Sequence, residues 1–178
     1  MCTDLMSKKY SFLLIFLFMG LLPSYGDDKK NGVEAESAEI LNLYSGKAAD
    51  YLDLAWEYVE KNIVISKSYA DSSLYYARMS QDSFAVSLAY NVMGRAAGIE
   101  GKGKRALQYY LLALALRRAL FDEAVIQESA EDIPFFHTKL AASHINVGNG
   151  HRNLGNYPEA VSHFKEAEHI YRQYDLPA

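Results

Sequence analysis

The sequence predicts an all-α chain built from about three helix–turn–helix hairpins. Three observations carry that reading. Strand patterns are missing: Ile63-Val64-Ile65 is the one β-branched run of three, and three residues do not make a sheet. One spacing of small and aromatic residues occurs twice. Gly94 is followed after twelve residues by Ala106, then Tyr110 and Ala113, and Gly148 is followed after twelve by Ala160, then Phe164 and Ala167. Each copy carries a turn between its halves, Gly101-Lys102-Gly103 in one and Leu154-Gly155-Asn156-Tyr157-Pro158 in the other. A glycine inside a helix costs about 1 kcal/mol against alanine, so it needs a reason. Two closely crossing helices supply one. The pairs Gly94/Ala106 and Gly148/Ala160 would let the axes approach, with Phe164 filling the space around them. Asn156 would cap the last helix, and Pro158 would sit in its first turn.

The run Leu154-Gly155, Tyr157 and Ala160-x3-Phe164 resembles the signature of the tetratricopeptide repeat (TPR). The second copy, Tyr90-x2-Met93-Gly94 with Ala106-x3-Tyr110, resembles it too. A third copy lies upstream. Tyr51-x2-Leu54-Ala55-x2-Tyr58 fits a first helix and Tyr69–Ser80 a second, with either Ala70 or Ser73 at the inner small position. Its connection, Glu60–Ser68, is longer than the other two, which leaves its register open. Leu54-Ala55-Trp56-Glu57-Tyr58 resembles the first-repeat entry of bacterial TPR proteins whose repeats form the exported sensor part of signalling proteins. The resemblance covers residues 47–174. It implies a right-handed helical solenoid with repeats at 47–81, 84–122 and 134–174.

In chain order, residues 1–26 read as a signal peptide. Lys8 and Lys9 precede the apolar run Phe12–Leu22, and Pro23-Ser24-Tyr25-Gly26 ends in small residues, so cleavage before Asp27 is expected. The run is short of the roughly 20 apolar residues of a membrane span. An uncleaved N-terminal anchor is the alternative, and Met6 is as natural a start as Met1. Export would place the chain in the periplasm or outside the cell. Cleavage would remove Cys2, the single cysteine, and with it any disulfide or cysteine–metal chemistry. Residues 27–36 read as a flexible leader, and Ser37–Tyr44 as a short lead-in helix ended by Ser45-Gly46. The helices then expected are 47–60, 67–81, 84–100, 103–122, 134–153 and 157–174, within a domain at 37–178. Gly94 and Gly148 are 54 residues apart, against the usual 34 or so for this repeat. Leu114, Leu120, Phe121, Ala124 and Val125 keep helical spacing through the excess, so the helix after Gly103 should be lengthened, towards Ser129. The acidic residues Glu128, Glu131 and Asp132 would lie near its end. Asp132 and Pro134 mark the next helix start.

The chain has 18 Lys and Arg against 22 Asp and Glu, a net charge of −4. That balance argues against binding a phosphate backbone, which wants a basic face. His137, His144 and His151 recur every seven residues. Seven residues rise about 10 Å along a helix, too far for one metal ion with ligands near 2 Å. His144 and His151 stand where the repeat has aromatics, so they read as packed rings. No serine sits in a nucleophile elbow, and Gly101-Lys102-Gly103 is too short for a phosphate loop. No catalytic residue, metal or cofactor is therefore assigned, and an enzyme is not expected.

The resemblance implies a concave groove lined by the first helices of successive repeats. Carried onto this sequence, its walls are Trp56, Asn91, Arg95, Asn149 and Arg152, with Leu52 and Ile145 one turn earlier. An aromatic platform, amides and two cations suit an extended peptide or a helix of a protein partner, with Arg95 or Arg152 pairing a carboxylate. The expected function is an exported, non-enzymatic scaffold binding a protein or peptide. The alternative is the sensory input region of a signalling protein whose output domain is missing. The chain stops soon after the last repeat without a polar cap, so self-association through the final helix is a further expectation.

Overall fold

The computed structural model describes residues 27–129 and 132–173. The expected signal segment 1–26, Glu131 of the acidic patch and residues 174–178 lie outside them. Among the described residues six helices follow one another: α1 Asp27–Tyr58, α2 Ile63–Met79, α3 Ser83–Ile99, α4 Gly103–Ile126, α5 Asp132–Asn153 and α6 Tyr157–Gln173. No strand occurs among the described residues. The chain divides into two compact units. The described part of the first is the opening of α1, to Glu39, and the second, Ile40–Ala178, holds everything treated below.

Two element boundaries differ from expectation. α1 runs through Ser45-Gly46, and residues 27–36 are helical rather than an irregular leader. Gly46 has open space around it, so the only penalty there is propensity, about 1 kcal/mol, which a long helix absorbs. α2 starts at Ile63, four residues earlier than expected. Asn62 is the reason: its side chain accepts from the backbone N–H of Val64 and Ile65, each at 3.2 Å. The β-branched run is thus the first turn of a capped helix. The expected lengthening of α4 is present, to Ile126. α5 begins at Asp132, where Ser129 Oγ accepts from the Asp132 N–H at 3.3 Å and donates to its carboxylate at 2.7 Å.

Neighbouring helices run antiparallel, as their contacts show. On α2, Ser66 Oγ donates to the Ala55 carbonyl at 2.7 Å and Ser73 Oγ to the Ala48 carbonyl at 2.8 Å. These bonds set the register of the first hairpin: Ser66 and Ser73, with Ala70 between them, all face α1. Between α3 and α4 the group nearest to Gly94 is the Tyr110 ring and not Ala106. A Cβ on Gly94 would lie 2.5 Å from the Tyr110 ring, whereas Ala106 faces Gly98 at 4.0 Å. In the last hairpin Gly148 likewise faces the Phe164 ring, at 2.6 Å. Each glycine makes room for the aromatic four residues beyond the small position, because a ring needs the missing Cβ and a methyl group does not.

The core follows from this close approach. Its fully buried side chains are small, chiefly alanine and serine with Val92 and Val147. Tyrosines fill the margins in stacks: Tyr51 on Tyr76 at 5.6 Å, and Tyr90 on Tyr109 at 6.1 Å. α1, α3 and α5 share one layer, joined by Ala55 and Val59 against Val92 and Met93 and by Phe84 against Phe135 and Phe136. α2, α4 and α6 form the other. The result is a two-layered, repeat-like stack of helical hairpins.

All four inter-helix turns from α2 onward close in the same way. A residue with positive φ follows the helix, at Gln81 (58°), Gly101 (72°), Glu128 (53°) and Gly155 (78°). The next N–H reaches back five residues, as from Asp82 to the Ala77 carbonyl at 3.0 Å and from Ser129 to the Ala124 carbonyl at 3.0 Å. Only two of the four are glycine. A left-handed conformation costs an L-residue about 1 kcal/mol or more. Gln81→Gly should therefore stabilise the fold by about 1 kcal/mol, read as a higher urea midpoint with an unchanged slope.

Candidate functional site

The last turns of α1, the middle of α3 and the C-terminal half of α5 converge on one cavity of about 460 Å³. Its walls are Trp56, Val59 and Glu60 from the first hairpin, Asn91 and Arg95 from α3, Tyr110 from α4, and Asn146, Asn149, Arg152 and Asn153 from α5. All five residues that the resemblance assigned to a groove line it. Leu52 does not, since it packs into the core against Ala55 and Val92. Ile145 is half-buried and is not among the lining residues.

Helix periodicity places these side chains. Asn91 and Arg95 are one turn apart on α3. Asn146, Asn149 and Asn153 form a stripe on α5, with Gly150 inside it. Tyr110 explains that glycine. Its ring lies against Gly94 on one side, and a Cβ on Gly150 would stand 3.4 Å from it on the other, with Leu107 at 3.1 Å. A phenol from α4 is thus wedged between α3 and α5, and the two glycines set the width of the groove. Burial pushes the Tyr110 hydroxyl pKa up, against the opposing pull of Arg95.

The polar groups are arranged in distinct ways. Asn146 Nδ2 donates to Asn91 Oδ1 at 3.1 Å, which ties α5 to α3 and orients both amides. Arg95 is engaged by Glu60: its Nε donates to Oε1 at 3.0 Å and its Nη2 makes a second contact with the same oxygen. That hydrogen-bonded partner raises the guanidinium pKa. Arg152 makes no ion pair with any described residue, in contrast to Arg95. Trp56 is 43% exposed, which makes it a wall of the groove and not a core residue.

Sequence reasoning missed five of the lining residues. Asn146 and Asn153 were within its reach, at one-turn steps from Asn149. Tyr110 reads as the aromatic of the repeat spacing after Ala106, and Val59 is not singled out. Glu60 gave no signal, because its partner is 35 residues away. A second, more open depression of about 700 Å³ lies along α4, lined by Arg105, Gln108, Tyr109, Leu111 and Leu112. Those residues come from a single helix, so the depression has one wall and no converging groups.

No family model, curated protein or solved structure matches the chain. The reading of the site therefore rests on its geometry.

Proposed function

We propose that the chain is a TPR-like, right-handed helical solenoid that acts as an exported, non-enzymatic scaffold and takes an extended peptide segment of a protein partner into the groove between α1, α3 and α5. The observation that supports this is the convergence of Trp56, Asn91, Arg95, Asn149 and Arg152, from three separate helices, on one polar cavity. Its size is within the roughly 300–1,000 Å³ of ordinary ligand sites. Asparagine amides both donate and accept, which matches a peptide backbone whose N–H and C=O groups must be re-satisfied on leaving water. The Trp56 face offers apolar area to one side chain. Arg152, which makes no ion pair with any described residue, suits a carboxylate, whereas Arg95 is already matched by Glu60.

Selection from a phage-displayed library of random dodecapeptides tests the proposal. Acidic peptides should be enriched on the wild-type chain. Trp56→Ala and Arg152→Ala should each weaken binding about tenfold or more, as an anchoring aromatic and a charge-assisted hydrogen bond warrant, with helicity unchanged. Equal enrichment on a Trp56→Ala/Arg152→Ala double variant would rule the groove out.

A further inference from the structure

All five histidines of the chain, His137, His144, His151, His163 and His169, lie on α5 and α6. Three of them meet. His144, only 4% exposed, approaches His163 of α6 with Nδ1 to Nδ1 at 3.1 Å. The His151 ring stacks on the same His163, with centroids 5.6 Å apart and planes 13° from parallel. From α4, Arg118 Nη2 reaches His144 Nε2 at 3.1 Å. The seven-residue spacing keeps His144 and His151 apart on their own helix, and α6 joins them by inserting a ring between them.

This geometry fixes the protonation pattern. A guanidinium only donates, so His144 Nε2 must accept from Arg118. A neutral His144 then carries its proton on Nδ1 and donates it to His163 Nδ1. The arrangement holds only while His144 is neutral. A second proton would turn Nε2 into a donor facing a donor, and would set one cation against another within hydrogen-bond distance. His151 Nδ1 is buried without a hydrogen-bond partner among the described residues.

We propose that the α5–α6 interface is an acid-sensitive latch, in which the neutral pair His144 and His163, beside Arg118 and with the His151 ring stacked on His163, holds α6 in place and protonation of the pair releases it. The groups facing the cluster are Arg118 on α4 and Glu166 on α6, together with the histidines themselves. Glu166 is the one carboxylate among them and opposes the effect. Burial, helped by His163 and Arg118, holds the His144 pKa down to about 4. Burial, then His151, lowers that of His163. At the far end of the interface burial, then His169, lowers that of His137. The sign follows. Unfolded histidine titrates near 6.5, so in the window down to about 4 for His144 the unfolded chain binds more protons than the folded one. Stability is full above that window and falls as the pH drops through it. The latch does not depend on the groove reading.

Circular-dichroism melts of the full chain, at about pH 7.5 and about pH 5, test it. The wild type should lose roughly 5 °C or more in Tm on acidification. His144→Gln/His163→Gln keeps amide donors and acceptors without titrating, and should lose less than half as much. An equal loss in both would overturn the latch. Histidine ring NMR on the wild type decides independently of whether the variant folds. His144 should stay neutral well below the usual range until α6 amides lose protection. An ordinary titration near 6.5 with α6 still protected would overturn the proposal.

Discussion

Arg117→Ala should lower the free energy of unfolding by about 2–5 kcal/mol, the range for emptying a large buried site. Arg117 is 4% exposed. Its Nε donates to Ser87 Oγ at 3.1 Å, and its Nη1 to the Lys139 carbonyl at 3.1 Å and Ser143 Oγ at 3.0 Å. One side chain on α4 thus ties α3 to α5, with its guanidinium over the Phe84 ring. Its hydrogen-bond partners among the described residues are all neutral, and burial pushes its pKa down to about 10, so it stays charged at neutral pH. That charge is not itself stabilising, because its desolvation has no facing anion to offset it. The void is what alanine would cost. Arg117→Met fills most of the volume and removes the charge, so it should cost less than about 1.5 kcal/mol and could raise stability. Urea denaturation of the two variants separates these terms. Equal losses would show that the hydrogen bonds, and not the packing, carry the effect.

Gly148→Ala is the second substitution expected to matter. Alanine is the better helix former by about 1 kcal/mol, so an open site would gain. Here the new methyl group would lie 2.6–3.0 Å from three atoms of the Phe164 ring, closer than carbon atoms pack. Overpacking of that kind costs about 1–3 kcal/mol, and the net change should be a loss of up to about 2 kcal/mol after the propensity gain of about 1 kcal/mol. The same holds for Gly94 beside Tyr110. A rescue separates packing from backbone strain. Phe164→Leu in the Gly148→Ala background should recover stability, with a coupling of at least about 0.5 kcal/mol in a double-mutant cycle. An additive pair would mean that the ring had moved aside without cost.

These two cases show what could be read from the chain. The glycines, the repeat spacing and the long α4 were legible because helical periodicity is local and an interior glycine demands an explanation. Which atoms each glycine accommodates was not legible, since Ala106 and Tyr110 lie on the same helix face and only the crossing geometry chooses between them. Asn62 was legible as a cap in principle, but Ile63-Val64-Ile65 obscured it by reading as β-branched. The assignment of Trp56, Arg95 and Arg152 to one groove came from the resemblance to the TPR signature, carried over residue by residue. The Glu60 contact that neutralises Arg95 depends on tertiary approach and leaves no trace in spacing. Arg117 was invisible for the same reason: a buried arginine bonded to serines looks like any surface arginine in a string of letters.

The groove proposed between α1, α3 and α5 can be tested on the protein itself. Trp56, the chain's single tryptophan, reports on it directly. Its emission should shift to the blue and saturate as an acidic peptide from the selection is added, since a bound chain removes water from a 43% exposed ring, and Arg152→Ala should move the midpoint to about tenfold higher peptide concentration. Emission that stays unchanged while the peptide binds, or a midpoint that ignores Arg152, would contradict the groove.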